Sequence, residues 1–305
     1  MSIIIPKNIS KYYTTKYGIC INDNCSDIIE SYLIPNYAGK IQLIFTSPPF
    51  PLNRKKKYGN LSGEEYKRWL CDIGKRMLPL LTESGSIVLE MGNAWNPGEP
   101  TFSTLPLETL LEFKDECNLS LCQEFIYYNP ARLPGPVQWV NKERVRVKDA
   151  FTRLWWLSKS PNPYANNRNV LEEYSKQMVK LLNSGKYNSG HRPSEHDVGK
   201  TSFNNNNGGS IPSNVIIASN TLSRDQYLVS CKKHTIPIHP ARMPIVLPNF
   251  FIKMLSNPGD IVLDCFAGSN TTGLSAEHLN REWISIEIDS DYFIGSKFRF
   301  SGAVQ

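Results

Sequence analysis

Apolar and polar positions change rhythm three times along the chain. In residues 1–160, short apolar runs of strand length at 41–45, 86–89 and 125–128 alternate with helix-like stretches. Between the first two, Tyr66, Leu70, Ile73, Met77 and Leu81 recur at helical spacing, which predicts a helix over 63–81. Strand–helix–strand alternation points to a parallel α/β sheet. Residues 161–235 lose this order. They are rich in Asn, Ser, Gly and Pro, including the tract 204–209, and read as loop-rich surface or a small irregular domain. From 236 the α/β rhythm resumes: a helix over 250–255, a turn at 257–260, a buried strand at 261–263, a second helix, and a strand at 283–286. The expected architecture is one α/β sheet, built from 1–160 and 236–305, interrupted by a polar insert at 161–235.

The composition narrows the class. No stretch approaches the roughly 18 consecutive apolar residues of a membrane span, and the first residues turn polar too soon for a signal peptide. The seven cysteines contain no Cys-x-x-Cys pair, so neither a disulfide framework nor a metal site is expected, and the expected setting is cytoplasmic. The net charge of +6 in 305 residues permits a polyanionic partner without requiring one.

Residues 261–273 read as strand, tight turn and helix start. Gly268 allows close backbone approach to a ligand, and Thr271 or Thr272 is placed to cap the following helix. Glu287 follows Gly268 by 19 residues, just past the next strand, the usual place for a carboxylate that accepts ribose hydroxyls. NAD and S-adenosylmethionine both fit such a site, as does a plain strand–turn–helix with a surface Glu. The absence of Gly-x-Gly-x-x-Gly weakens the NAD reading.

The segment Thr46-Ser47-Pro48-Pro49-Phe50 follows the strand at 41–45, at the strand end where open α/β sheets bind ligands. Its prolines fix the chain and leave carbonyls free as acceptors. Ser47 adds an acceptor and Phe50 a flat apolar face. The set suits an aromatic ring bearing an amino group, stacked on Phe50 with its N–H groups toward Ser47 Oγ and the Pro48 carbonyl. A rigid turn with a core Phe is the plainer alternative.

Together, Thr-Ser-Pro-Pro-Phe and the later Asp264-Cys265-Phe266-Ala267-Gly268-Ser269-Asn270-Thr271-Thr272 resemble the S-adenosylmethionine-dependent amino-methyltransferases of DNA. The catalytic motif precedes the cofactor motif, as in the circularly permuted β class, and the chain looks most like the PvuII-type cytosine-N4 enzymes. His239-Pro240-Ala241-Arg242-Met243-Pro244, residues 144–150, 154–159 and 208–215 add matching motifs. The resemblance implies a Rossmann-like methyltransferase fold: a mostly parallel seven-stranded sheet with a small irregular target-recognition domain. It implies that Ser47, Pro48, Pro49 and Phe50 hold the target amine. Asp264, Phe266, Gly268 and Ser269 would line the methionine end of S-adenosylmethionine, with His239, Pro240, Ala267, Asn270, Thr271 and Thr272 around it. Glu287 would take the ribose and Asp23 the adenine. Asn270 stands where the family has a glycine, and Asn tolerates a left-handed backbone. Ser47 in place of the acidic-site Asp favours cytosine-N4 over adenine-N6.

The target would be a base flipped out of double-stranded DNA. Counted by zone, residues 51–70, 130–160 and 161–235 carry +13 together and the remainder −7, so the basic charge gathers around the proposed target pocket and insert. Lys55, Lys56, Arg144, Arg146 and Lys148 are the expected phosphate contacts. Arg144, Arg146 and Lys148 share a face if that stretch is a strand. Trp155 and Trp156 read as core or pocket wall. The expected role is a protective methyltransferase paired with a restriction endonuclease, acting as a monomer or weak dimer. An adenine-N6 enzyme and a catalytically silent cofactor- or nucleic-acid-binding protein are the alternatives.

Overall fold

The computed structural model describes all residues except 1, 2, 7, 51–60, 62, 187, 188, 200–204, 221–224 and 301–305. Its contacts separate into two units, residues 1–165 with 214–305, and residues 166–213.

The larger unit is built on one sheet. Its strands are β1 (Tyr12–Thr14), β2 (Gly18–Asn22), β3 (Ile41–Thr46), β4 (Leu81–Gly92), β5 (Ser120–Tyr128) and β6 (Phe151–Ser158). The smaller unit holds a hairpin, β7 (Gly190–His191) with β8 (Asp197–Val198), and the helix Lys176–Ser184. The chain then returns through β9 (Val215–Ile217), β10 (Ile261–Asp264) and β11 (Glu282–Glu287). The strand order is β1-β2-β11-β10-β3-β4-β6-β5-β9. The run from β2 through β4 is parallel, and β6 lies antiparallel to both β4 and β5. Seven of these strands form the expected sheet. The two extra ones, β1 and β9, are three-residue edge strands. Short edges of this kind offer little template for pairing with another chain.

Two boundaries differ from the sequence reading. The helix expected to reach Leu81 ends at Met77, because Pro79 cannot continue it; a single 3-10 turn follows and Leu81 opens β4. The insert also closes earlier than its composition suggests. Residues 214–235 belong to the larger unit: Val215–Ile217 pairs with β5, and Tyr227, Leu228 and Cys231 of the helix Gln226–Lys233 pack on Ile236, Ile238 and Phe298. Among the described residues, no helix is long and apolar enough to cross a membrane.

The core explains where the site lies. β3 and β10 are buried along their whole length, as strands covered on both faces must be. From β10 the chain crosses through the helix Thr271–His278 to β11 on one side. From β3 it crosses through the helix Gly63–Met77 to β4 on the other. The order therefore reverses between β10 and β3, and their carboxyl ends frame the crevice that such a switch point creates.

Candidate active site

Thr46 and Asp264 end these two strands, and they are joined: Thr46 Oγ1 donates to Asp264 Oδ1 at 2.7 Å. Asp264 also accepts from Thr272 Oγ1 at 2.6 Å and from the Phe266 amide at 3.0 Å. Burial pushes this carboxyl above its ordinary range, and the three donors hold it down. One hydrogen bond thus ties the Thr-Ser-Pro-Pro-Phe segment to the glycine loop.

A cavity of about 490 Å³ opens above this pair. That lies within the roughly 300–1,000 Å³ usual for small-molecule sites. Its wall includes Asp23, Ser47, Pro48, Pro49, Phe50, His239, Asp264, Phe266, Ala267, Gly268, Ser269, Thr271, Thr272 and Glu287. Segments far apart in sequence meet here because the strands that carry them are neighbours in the sheet.

Gly268 sits at φ +53, and a Cβ there would stand 3.0 Å from His239 Nε2. Its amide donates to Glu287 Oε2 at 2.6 Å, while the Asp289 amide donates to Glu287 Oε1 at 2.8 Å. Burial raises Glu287 to about 7 against these two bonds. The carboxylate keeps lone pairs for a diol, and Asp23 lines the cavity, its amide bonded to the Glu287 carbonyl. Phe266 continues into an aromatic wall, 5.6 Å from Trp69, which is 5.7 Å from Tyr66. A carboxylate beside a glycine turn, flat aromatic faces and the Ser269 and Thr271 hydroxyls suit an adenosine ligand with a polar tail, so the residues present fit S-adenosylmethionine.

At the other end of the cavity, Phe50 packs over Gly92, where a Cβ would fall 2.5 Å from the ring. Ser47 lies beside Glu90 of β4 and favours its charged form. Glu90 also accepts from Thr152 Oγ1 at 3.2 Å and feels the positive charge of Arg132. Burial outweighs these partners and raises its pKa. Glu90 had a signal in the sequence: it is the one charged residue in the buried run Ile87-Val88-Leu89-Glu90-Met91.

Several expected residues stand elsewhere. Asn270 is fully buried and outside the cavity wall. It takes φ 55 and is itself the helix cap, accepting from Gly273 N at 3.0 Å and Ser285 Oγ at 2.8 Å. Thr271 and Thr272 are therefore not the cap; Thr272 turns to Asp264 instead. Pro240 is exposed and off the wall, whereas Ala241 and Met243 line it. Lys55 and Lys56 lie outside the described residues. Residues 144–148 are not a strand: Arg144 takes φ 57, Arg146 turns in to Asp149 at 3.2 Å, and Lys148 Nζ reaches the Pro130 and Arg132 carbonyls. They do not share one face. Trp155 and Trp156 are buried in β6, with indole N–H groups bonded to Glu124 and Ser86.

One buried cation at the site carries no signal in the sequence pattern. Arg299, 8% exposed at its side chain, donates from Nε to the Ser269 carbonyl and from Nη2 to Ser269 Oγ. It stacks 4.6 Å over the Tyr227 ring, whose hydroxyl accepts the His239 amide at 2.9 Å.

Comparisons with known proteins agree with this geometry. Residues 41–297 match the family model of the DNA methylases N6_N4_Mtase. The type II methyltransferase M.PvuII of Proteus hauseri is 44% identical over 290 residues, covering 94% of this chain and 85% of that protein. The type II methyltransferase M.BglII of Bacillus subtilis is 24% identical over 94% of this chain and 69% of its own length. The solved structure of the cytosine-N4-specific PvuII DNA methyltransferase superposes with a TM-score of 0.77 at 37% identity, over 97% of this chain and 91% of that one. A family-model match over residues 41–297 and 44% identity across 94% of the chain make it a member of the N6/N4 DNA methylase family.

Proposed function

We propose that the chain transfers a methyl group from S-adenosylmethionine to the exocyclic N4 amine of a cytosine flipped out of double-stranded DNA. The observation that carries this is the Thr46–Asp264 bond, which joins the Ser47–Phe50 segment at the end of β3 to the cofactor loop in one cavity wall, with Glu90 beside Ser47. The likeness to the cytosine-N4-specific enzyme supports the choice of atom.

S-adenosylmethionine, when bound, supplies an electrophilic methyl group. The chain's own residues do the rest. Phe50, backed by Gly92, stacks on the base. Ser47 Oγ and the Pro48 carbonyl accept the two N–H bonds and let the delocalised nitrogen become more tetrahedral. Ser47 donates its own proton to Glu90, so its lone pairs face the amine. As the new N–C bond forms and the S–C bond breaks, the amine loses a proton toward Ser47, and Glu90 takes the Ser47 proton. For this step Glu90 starts ionised, and burial raises its affinity for the proton it then takes. Positioning supplies the larger share of the rate gain.

Residues 166–213 serve as the target-recognition unit. The enzyme acts in the cytoplasm of a prokaryotic or virus-infected host cell, as a monomer or weak dimer, and protects DNA from a partner restriction endonuclease. The test is a methyl-transfer assay on DNA from a host lacking the enzyme, followed by nucleoside analysis. N4-methylcytosine is expected, lost in Ser47→Ala with cofactor binding retained. N6-methyladenine or no product would refute the reading.

A further inference from the structure

The loop between β5 and β6 is braced yet exposes several apolar side chains. Its root is closed by the Asn129 amide on the Ala150 carbonyl. Inside it, Val145 and Arg146 amides bond the Trp139 carbonyl, and the Asp149 amide bonds the Gly135 carbonyl. Lys148 Nζ bonds the Pro130 and Arg132 carbonyls, drawing residues 132 and 148 together. Their neighbours Leu133 and Val147 are 83% and 86% exposed, and Val145 is 62% exposed. Single exposed apolar residues need no explanation. Two nearly naked ones on one braced loop do.

Position and charge identify the occupant. The loop springs from the strand ends beside the target-amine site: Arg132 Nη1 bonds the Phe151 carbonyl, and Thr152, the next residue, bonds Glu90. Arg132, Lys142, Arg144 and Lys148 of the same loop are exposed, while the Arg146 charge is engaged with Asp149. Exposed apolar side chains on a cationic loop fit a polyanion with an apolar gap in it. Duplex DNA has such a gap where a base has left the stack, and apolar wedges are the usual filler.

We propose that Leu133 and Val147 enter the DNA stack at the target base pair and fill the space vacated by the flipped cytosine. This rests on the reading of the site as a DNA amine methyltransferase. The test uses Leu133→Ser with Val147→Ser, at exposed positions that leave the fold intact. Methyl transfer is measured on a duplex carrying the site mapped by sequencing modified host DNA, and on the same duplex with an abasic position opposite the target cytosine. The variant is expected to lose about tenfold or more on the paired duplex, where flipping must be driven (~1.4 kcal/mol per tenfold). On the unpaired duplex it should stay within about twofold of wild type, because that base leaves the stack at little cost. Wild-type rates on the paired duplex, or equal losses on both, overturn the proposal. 2-Aminopurine at the target position reads flipping without methyl transfer. Its fluorescence should rise with wild type and not with the variant, and an equal rise overturns the wedge even if the transfer chemistry has been misassigned.

Discussion

Glu287 makes cofactor binding a function of pH. Its carboxyl sits near 7 because burial opposes the charge more than the Gly268 and Asp289 amides support it. Ribose hydroxyls need the ionised form as acceptor, so only that fraction is competent. With a pKa of about 7, the ionised fraction is roughly one-tenth at pH 6 and roughly nine-tenths at pH 8. The apparent Kd for S-adenosylmethionine is therefore expected to be about tenfold weaker at pH 6 than at pH 8, with nearly one proton released on binding at pH 6. The sign for the free protein is opposite. A carboxyl raised above its unfolded value costs stability as pH rises from about 4.5 toward 7, at most ~3 kcal/mol at 1.36 kcal/mol per unit. The assay is calorimetric titration across pH 5.5–8.5 in two buffers of different ionisation enthalpy, with Glu287→Gln alongside. The cofactor's own amino group titrates near 8 in both proteins and cancels in the difference. Parallel profiles for wild type and Glu287→Gln would refute the assignment.

Two further substitutions probe the loop that Glu287 holds. Gly268→Ala places a Cβ 3.0 Å from His239 Nε2 at a left-handed φ of +53, conformational strain of about 1–2 kcal/mol before any clash. Cofactor affinity should fall at least about tenfold by calorimetry, with the circular dichroism spectrum unchanged. Arg299→Lys keeps a charge but loses the two-pronged grip on Ser269. The KM for S-adenosylmethionine should rise several-fold while kcat stays within about twofold, since the group touches neither the target base nor the transferred methyl. A matching fall in kcat would place Arg299 in the chemistry instead.

Much of the site was legible because its chemistry is written in contiguous runs. Thr46 to Phe50 and Asp264 to Thr272 each follow a buried apolar strand, so their place at the carboxyl edge of the sheet could be read from pattern alone. What joins them could not. The Thr46–Asp264 bond depends on β3 and β10 being neighbours, and strand order across a crossover is a tertiary fact with no local signature. Glu90 was hidden for the same reason. A lone carboxylate inside an apolar strand is visible in sequence, but its neighbour Ser47 follows a different strand.

The residues of 130–149 show why charge patterning misled. Alternating Arg144, Arg146 and Lys148 imply one basic face only if the backbone is extended. Arg144 at φ 57 breaks that geometry, and the side chains divide their work. Arg146 neutralises Asp149 inside the loop, and Lys148 ties the two arms together through carbonyls. Two of the five expected phosphate contacts, Arg146 and Lys148, thus hold up the loop that presents Leu133 and Val147. The basic residues here serve as scaffolding, while Leu133 and Val147 stand out to solvent. For a site proposed to pull a base from its stack, that division is physically sensible: rigidity comes from polar bonds within the loop, and the work on the duplex would fall to the groups that water most readily gives up.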